Sequence, residues 1–448
     1  MSHQLGIALV SREYPPFYGG GIGTYARWIV PALVSHGIRV HVVTEAHDRT
    51  HPRVECNGNV TVHRIPIGMG KGGWPNAALR FSIQAARQVA TLYRSGRIQV
   101  AEFAECEAAG IATLMCNPCR PPTVVQLHTP SEQLFVLRSL STRSIDTPHR
   151  VYFESERLAM HLADEILAPS RFIADWAHNH YRFPTAPKVI PYATGPLPSP
   201  EDSRHSADET VIFFAGRIEP RKGVESLILA MNEVSRAHPR ATLRLAGADT
   251  SGAPEGGSMR AYLQSLIEPH AADRIHFLGR LDRDDLRHEY ARASLCVVPS
   301  LWENFPNTCI ESMSHARAVL VSDQGGMKEM VGNTRAGRTF SAGDPDDLAR
   351  EMKLMLTESA QSLAERGRIA RERIEYLCDP DRVAADRIEH FHHMVENHGS
   401  SPARNREGAL GAWSGLESAL SGDTDSFQPP PVSQQILRWV DRIEECAC

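Results

Sequence analysis

The feature that most constrains this chain is a regular alternation of short apolar runs with longer amphipathic stretches along nearly its whole length. The short runs have the composition of buried strands, and the stretches between them have the apolar spacing of helices. Strands that alternate with helices pair in parallel, because each helix carries the chain back to the start of the next strand. The sequence therefore predicts an α/β protein with parallel sheets.

This alternation runs twice, with a break at 191–206 that is rich in Pro, Ser, Gly and Asp and is typical of a linker. We therefore predict two doubly wound, Rossmann-like domains that face a cleft, because ligands of such sheets bind beyond the carboxyl ends of the strands. The predicted strands are 5–10, 39–44, 60–65, 100–103, 123–127 and 165–168 in the first half and 211–215, 241–246, 275–278, 295–298 and 319–322 in the second.

The last part of the chain loses this pattern. Residues 398–448 are dominated at first by Gly, Ser, Pro, Asp and Ala, which predicts a flexible tail, although 433–445 has the spacing of a short amphipathic helix. The predicted organisation is an N-terminal domain at 1–195, a linker at 196–208, a second domain at 209–375, a C-terminal helix at 376–397 and the tail at 398–448.

Composition excludes several classes of function. The 448 residues carry a net charge of −5, which does not favour a nucleic-acid or membrane-surface binder. No run approaches the roughly 18 apolar residues of a membrane span, and the start lacks the basic region of a signal peptide, so we expect a cytoplasmic protein. The nine cysteines are odd in number and scattered, which favours reduced thiols, and Cys116 and Cys119 lack the second ligand pair of a zinc site.

Two carboxylates, Glu303 and Glu311, stand on either side of a predicted helix start. The preceding apolar segment predicts a strand that ends near Ser300, so Glu303 lies in a loop and Glu311 in the first turn of the next helix. The start of a helix attracts anions because its first amides are unpaired. Carboxylates beside an anion site can accept hydrogen bonds from hydroxyls, and this combination predicts a sugar nucleotide as ligand.

Two cations lie in the loop that follows the first strand of the second domain. Arg217 and Lys222 belong to the segment Gly216–Gly223, which turns into a helix. Two cations beside a helix start suit a diphosphate, and they would stabilise its charge if it is a leaving group. A solvated basic loop is the alternative interpretation of the same residues.

Several glycine loops also follow predicted strands. Gly19–Gly23 feeds a helix and suits a phosphate, but it lacks the G-x-G-x-x-G spacing of the dinucleotide fingerprint, and a simple turn is the alternative. A flat base could lie against the loop at Gly279 and Arg280. The Asp-x-Asp at Asp282 is not assigned to a metal, because the same spacing recurs where other helices start.

Together these segments resemble the retaining glycosyltransferases of family 4, which have the two-lobed GT-B fold. The resemblance covers about residues 5–395, and it is specific in the order and spacing of its motifs. The matching motifs are Pro15-Pro16 with Gly19–Gly23, the segment 163–170, Gly216-Arg217 with Lys222-Gly223, Ala246-Gly247, Phe277-Leu278-Gly279, Pro299-Ser300 and the pair Glu303 and Glu311.

The resemblance implies transfer of a hexose-type sugar from a nucleotide-diphosphate donor with retention of configuration. It implies no metal and no resident cofactor, with a UDP-sugar favoured as co-substrate over a GDP- or ADP-sugar. In this family the donor binds mainly to the second domain and the acceptor to the first, to which the C-terminal helices return.

The resemblance also implies roles for single residues. Glu311 would accept hydrogen bonds from the ribose, and Glu303 from the transferred sugar, while His128, which follows the strand at 123–127, would contact the donor sugar. A lone histidine at a strand end is otherwise more often structural. The catalytic set is Glu303, Arg217, Lys222 and His128, and the donor-binding set is Gly20, Gly21, Gly23, Gly216, Gly247, Gly279, Arg280, Phe305, Asn307, Thr308 and Glu311.

One departure from the family pattern concerns the anion contact. Pro306 stands where glycine is common, and it has no N–H to donate to a phosphate. The amides of Asn307, Thr308 and Cys309 must then supply this contact. Two other functions remain open on the same fold, namely a sugar-nucleotide epimerase and a catalytically silent sugar-nucleotide-binding protein.

The acceptor has no motif of its own in the sequence. It would meet the first-domain loops at 68–75 and 129–147, and a sugar, a small molecule or a lipid-linked acceptor would each fit. Leu134–Leu137 beside Arg138 and Arg143 suits a lipid and a peripheral membrane contact, but a surface helix is the favoured interpretation. We expect no nucleic-acid partner.

Overall fold

The computed structural model describes residues 4–17, 20–48, 50–67, 74–115, 120–138, 147–198 and 210–398. The chain divides into two compact units, Met1–Ala193 with Pro380–Cys448 (unit 1) and Thr194–Asp379 (unit 2). The predicted features outside the described residues are the tail from 399 with its short helix, most of the linker, the loop at 68–73, Gly19, the pair Cys116 and Cys119, and positions 139–146 of the loop at 129–147, with Arg143.

Unit 1 contains an eight-stranded sheet in the order β3-β4-β2-β1-β5-β6-β7-β8, parallel except for the antiparallel pair β3 and β4. The structure confirms the six predicted strands and adds two, β3 and β8, whose residues are exposed and therefore carry no apolar pattern. The strands are β1 (Gly6–Val10), β2 (Arg39–Glu45), β3 (Val54–Asn57), β4 (Val60–Ile65), β5 (Val100–Ala104), β6 (Thr123–Gln126), β7 (Glu165–Ala168) and β8 (Lys188–Val189).

The helices of unit 1 include one from the far end of the chain. They are α1 (Gly21–Ser35), α2 (Trp74–Arg94), α3 (Ile111–Met115), α4 (Ser131–Arg138), α5 (Thr147–Leu162), α6 (Arg171–Tyr181) and α14 (Pro380–Glu396). The last is anchored by Arg387, which is 0% exposed, donates to Glu102 of β5 at 2.6 Å and to Gln126 of β6, and lies over the ring of Tyr25. Arg387 would be a buried cation without a counter-ion if α14 left unit 1, so this helix depends on unit 1.

Two buried imidazoles on neighbouring strands give unit 1 a testable response to acid. Nδ1 of His41 lies 3.1 Å from Nε2 of His63, and the rings are 3% and 7% exposed. Burial, with the neighbouring His63 and the cations of Arg97 and Arg39, lowers the pKa of His41 to about 4. The folded state therefore favours the neutral ring, and this stability is present above the unfolded pKa of about 6.5 and is lost as the pH falls towards 4.

We expect His41→Gln to flatten the dependence of the unfolding free energy on pH. Between pH 7.5 and 5, the wild type should lose about 2 kcal/mol that the variant does not lose. Urea denaturation at both pH values, followed by a signal from unit 1, measures this difference, and the titrating groups that do not contact His41 cancel between the two proteins. His392→Gln, at an exposed ring on α14, is the control and should keep the wild-type dependence. Equal slopes for His41→Gln and the wild type would contradict the prediction.

Unit 2 contains a six-stranded parallel sheet in the order β11-β10-β9-β12-β13-β14. The strands are β9 (Thr210–Ala215), β10 (Ala241–Ala246), β11 (Ile275–Gly279), β12 (Leu295–Val298), β13 (Ala318–Ser322) and β14 (Gly337–Phe340), and the first five were predicted. The strand order reverses between β9 and β12, and sheets of this type bind ligands at such a reversal, beyond the carboxyl ends of the strands.

Seven helices surround this sheet within the described part of unit 2: α7 (Val224–Ala237), α8 (Met259–Ser265), α9 (Arg283–Arg292), α10 (Asn307–Ser314), α11 (Met327–Val331), α12 (Pro345–Leu356) and α13 (Ala360–Leu377). Asp282 and Asp344 cap α9 and α12 by accepting backbone N–H groups, as the interpretation of the Asp-x-Asp pairs predicts. Leu243, Leu295 and Leu320 are fully buried and belong to the hydrophobic core of this unit.

The structure corrects the prediction of one helix at 376–397. The chain there forms the end of α13, which stops at Leu377, and a separate helix α14, which starts at Pro380. Proline suits the first position of a helix and cannot continue one, so it separates the two. The units divide between Asp379 and Pro380, and near the linker between Ala193 and Thr194. Among the described helices, none has the length and apolar content that crossing a bilayer requires.

Candidate functional site

The loops after β9 and β12 touch each other at the point where the strand order of unit 2 reverses. The amide of Leu301 donates to the carbonyl of Arg221 at 2.8 Å. Gly223 has a φ of +65°, and a Cβ there would lie 1.9 Å from the carbonyl oxygen of Pro299. Only glycine fits so close to a neighbouring backbone in this conformation, so the contact between the two loops depends on it.

Glu303 is the centre of this site. Its carboxylate oxygen Oε1 accepts from Arg221 Nη1 at 2.7 Å, from Lys222 Nζ, and from the hydroxyl of Ser300 at 3.4 Å. Its other oxygen, Oε2, accepts no hydrogen bond from a described residue. Burial would raise the pKa of Glu303, but the cations Lys222 and Arg221 lower it to about 2, so the carboxylate is ionised. One oxygen of the carboxylate is thus held by the protein, and the other can accept a hydrogen bond from a ligand.

The two loops carry five charges of alternating sign. Glu219 Oε1 accepts from Arg221 Nη2 at 2.9 Å and lies 3.3 Å from Arg217 Nη2, so one carboxylate joins two cations. In order of contact the five are Arg217, Glu219, Arg221, Glu303 and Lys222. Three cations face two carboxylates, which leaves one excess positive charge on these two loops.

Sequence reasoning missed two residues of this group, Arg221 and Glu219. The side chain of Arg221 is only 7% exposed, whereas the side chain of Arg217 is 51% exposed. A cation next to Lys222 in a loop has the appearance of a solvated residue. Its neighbour Glu219 was the available signal, because a carboxylate close by permits a buried cation, but its contact with Glu303 depends on the tertiary fold.

The start of α10 is the candidate site for an anion. Asn307 and Thr308 are its first residues, and their amides donate to no described residue, as is usual in a first turn. The amide of Cys309 was predicted to join them, but it donates to the carbonyl of Pro306 at 3.0 Å. The expected anion contact is therefore corrected to Asn307 and Thr308. Phe305 precedes them and is buried at 7% exposure.

Glu311 was predicted in the first turn of this helix and lies instead in the second, because α10 begins only at Asn307. Its Oε2 accepts from the hydroxyl of Tyr290 at 3.0 Å. Burial raises the pKa of Glu311, while the bond from Tyr290 lowers it. Glu311 is half-buried, and its carboxylate is fixed in direction by Tyr290, whose ring stacks on His315.

The predicted glycines of unit 2 serve different purposes. A Cβ at Gly247 would lie 1.7 Å from the carbonyl oxygen of Gly216, so this glycine packs against the protein itself. Gly216 has a φ of +154°, a backbone conformation that residues with a side chain rarely adopt. Gly279 has a φ of +73° with open space around it, and Arg280 next to it is exposed, so this loop remains accessible to a ligand.

His128 lies in unit 1, after β6, in a buried aromatic and acidic environment. Its Nδ1 lies 2.7 Å from the hydroxyl of Tyr192, its backbone N–H donates to Glu105 at 2.7 Å, and its ring packs edge-on against Tyr25. Burial, and next the cation of Arg387, lower the pKa of His128 to about 3, so the ring is neutral. Tyr192 and Glu105 were missed by sequence reasoning.

The glycine loop of unit 1 is a helix start whose first amide is already occupied. Gly20 precedes α1, and its amide donates to a carboxylate oxygen of Glu13 at 3.1 Å. Gly21 is the first helical residue, and Gly23 is buried. A phosphate at Gly20 would have to replace this carboxylate. The predicted site residues thus divide by unit, with His128 and these three glycines in unit 1 and the others in unit 2.

Two models of known protein families match this chain. Residues 198–373 match the model described as glycosyl transferases group 1, and residues 19–193 match the model described as glycosyltransferase family 4. The chain belongs to the family 4 glycosyltransferases. It has the GT-B fold of that group, as predicted from its motifs.

Relatives of this glycosyltransferase cover most of its length. An uncharacterized glycosyltransferase of Methanocaldococcus jannaschii is 26% identical, with 79% of this chain and 89% of the relative covered. A glycogen synthase of Mycobacterium tuberculosis is 26% identical, with 84% and 92% covered. The solved structure of sucrose-phosphate synthase from Thermosynechococcus elongatus has a TM-score of 0.70 at 21% identity, with 88% and 100% covered.

Proposed function

We propose that this glycosyltransferase moves a hexose-type sugar from a nucleotide-diphosphate donor to an acceptor hydroxyl with retention of configuration. A UDP-sugar is the favoured donor, ahead of a GDP- or ADP-sugar, and neither a metal nor a resident cofactor takes part. The observation that carries this proposal is Glu303, whose Oε1 is anchored by Arg221 and Lys222 while Oε2 has no donor among the described residues.

Unit 2 supplies groups suited to each part of the donor. Arg217 and Lys222 offer cations to the diphosphate, and the amides of Asn307 and Thr308 offer donors at the positive end of α10. Glu311 accepts from the ribose hydroxyls, and its bond from Tyr290 at 3.0 Å sets the direction of the carboxylate. Since cations of the protein take the place that a metal would have, a metal is not needed for the leaving charge.

The reaction breaks the bond between C1 of the sugar and the β-phosphate oxygen, and forms a bond from C1 to the acceptor oxygen on the same face. The positive charge that develops on the sugar ring is opposed by the ionised Glu303. The acceptor proton passes to an oxygen of the leaving diphosphate, whose growing negative charge Arg217 and Lys222 stabilise. Each contact that strengthens with this charge lowers the barrier.

We assign His128 to the donor sugar. With Nδ1 paired to the hydroxyl of Tyr192, the neutral ring can exchange a hydrogen bond with a sugar hydroxyl through Nε2. Its pKa of about 3 keeps it in this form throughout the physiological range. The acceptor is assigned to unit 1, and the presence of a glycogen synthase among the relatives makes a sugar hydroxyl the first acceptor class to test.

The test starts with the donor. In thermal unfolding with UDP-, GDP- and ADP-sugars, the true donor should stabilise the fold by about 3 kcal/mol at a hundredfold excess over its dissociation constant. That donor is then incubated with sugar, small-molecule and lipid-linked acceptors, with and without EDTA. We expect release of nucleoside diphosphate that EDTA does not reduce, and a product whose NMR coupling constant matches the anomer of the donor.

Three other outcomes would contradict the proposal. An inverted anomer would exclude retention, and loss of turnover with EDTA would exclude the metal-free mechanism. An isomerised sugar from the donor alone would identify an epimerase instead.

A further inference from the structure

We propose that Arg221 is a positioning residue that holds Glu303 in place so that Lys222 can leave this carboxylate and bind the donor diphosphate. This role rests on the proposed function of the site. It concerns how the cations of unit 2 are shared between the protein and its ligand.

Lys222 is already engaged before any donor binds. Its Nζ pairs with Glu303 Oε1, so a carboxylate of the protein already neutralises the positive charge of Lys222 that would attract a diphosphate. A diphosphate must therefore compete with Glu303 for Lys222. The ammonium can move, since it stands at the end of a flexible stem and its side chain is twice as exposed as that of Arg221, at 15% against 7%.

Arg221 cannot follow Lys222, because it is fixed from several sides. Its Nη1 donates to Glu303 at 2.7 Å and to the carbonyl of Trp302 at 3.3 Å. Its Nη2 donates to Glu219 at 2.9 Å, and its own carbonyl accepts from the amide of Leu301. A planar guanidinium held by two carboxylates and a backbone carbonyl has one orientation.

The two cations that pair with Oε1 of Glu303 therefore have different roles: Arg221 stays on this oxygen and Lys222 can leave it. When Lys222 turns towards a diphosphate, Glu303 keeps Arg221 as a counter-ion and stays ionised and in place. Without Arg221, Lys222 would be the only remaining cation on a largely buried carboxylate, and releasing it would leave that charge unpaired. Loss of an ion-pair partner from a buried charge is costly, so Lys222 would be held back from the ligand.

A double-mutant cycle tests whether Arg221 acts on nucleotide binding through Glu303. Affinities are measured by calorimetric titration with UDP, GDP and ADP at pH 7.5. We expect Arg221→Met to weaken the tightest-binding nucleotide about tenfold, in the range measured for coupled charged residues. In the Glu303→Gln background, where no carboxylate holds Lys222, the same substitution should change affinity less than threefold. On acidification Glu303 should take up a proton in Arg221→Met before it does so in the wild type, so the difference in affinity between the two proteins should shrink. Protonation of the terminal phosphate of the nucleotide affects both proteins alike and cancels in this comparison.

Arg317→Met is the control for loss of a buried guanidinium in unit 2. Arg317 is 1% exposed and donates to the carbonyls of His315 and Ala293, so its removal should lower stability and leave nucleotide affinity and its pH dependence unchanged. If Arg221→Met fails to fold, as judged by circular dichroism, Arg221→Lys takes its place. This variant keeps the charge but cannot span both carboxylates, and it should show a smaller loss with the same dependence on Glu303.

An equal loss of affinity from Arg221→Met in both backgrounds would overturn this inference, since Arg221 would then act on the phosphates as a cation. The proposed function would stand in that case. Failure of all three nucleotides to bind the wild type would overturn the proposed function and this role together.

Discussion

Replacing Glu303 by glutamine should lower turnover at least a hundredfold, which is on the order of 3 kcal/mol of transition-state stabilisation. Glutamine keeps the size and one acceptor oxygen of the side chain, but it carries no charge to oppose the positive charge on the sugar ring. The loss should appear in kcat more than in KM, because this charge exists only in the transition state. Initial rates with the true donor and acceptor measure it.

Glu289→Gln is a matched control for this substitution. Glu289 and Glu303 are each 9% exposed, and Glu289 accepts from Arg244 at 2.5 and 2.6 Å within the same unit. Both variants break a largely buried ion pair and should lose stability, but only Glu303→Gln should lose turnover. If Glu303→Gln kept wild-type rates, or if Glu289→Gln lost as much, the central role of Glu303 would be wrong.

The fold was predictable because buried parallel strands carry their pattern in consecutive residues. All eleven strands named from the sequence are present in the two sheets. The three that were missed lack such a pattern. β3 is exposed along its length, β8 has two residues, and β14 combines glycine, arginine and threonine with a single buried phenylalanine. These strands form because a neighbouring strand offers an edge, and their own sequences do not indicate it.

Residues of the candidate site were predictable where a short motif of the sequence contains them. Arg217 and Lys222 lie in one loop and Glu303 lies in another, so the spacing within each motif suffices to find them. Arg221 was missed because the carboxylate that it contacts is 82 positions away in the chain. The surroundings of His128 were missed for the same reason, since Tyr192 is 64 positions away. Burial of a charged side chain is a property of the assembled fold.

Gly325 shows how a glycine pair after a strand can serve the packing of the protein itself. The pair Gly325-Gly326 after β13 permits a close backbone approach. In the structure the approaching group belongs to the protein: the carbonyl oxygen of Glu303 would lie 1.9 Å from a Cβ at Gly325, and it accepts from the amide of Gly326 at 2.9 Å. The glycine thus sets the backbone position of Glu303.

Gly325→Ala should therefore cost unit 2 about 3 kcal/mol or more of unfolding free energy. The φ of +75° disfavours any side chain by roughly 1–2 kcal/mol, and displacing the backbone of Glu303 adds a penalty of the size seen in overpacked cores, about 1–3 kcal/mol. Because the two units need not unfold together, hydrogen exchange is the suitable measurement. Amides of the core strand β13 that exchange only when unit 2 unfolds should show the full loss, and the amide of Gly326 should lose protection as well.

Gly256→Ala separates the two costs. Gly256 has a φ of +85°, and no atom lies within 4 Å of the position that a Cβ would take, so alanine there meets the backbone strain without the collision. It should cost roughly 1–2 kcal/mol and leave the exchange of Gly326 unchanged. The difference between the two variants measures how tightly the loop after β13 is packed on Glu303. Equal losses would mean that this loop yields to the extra carbon and does not fix the carboxylate-bearing loop.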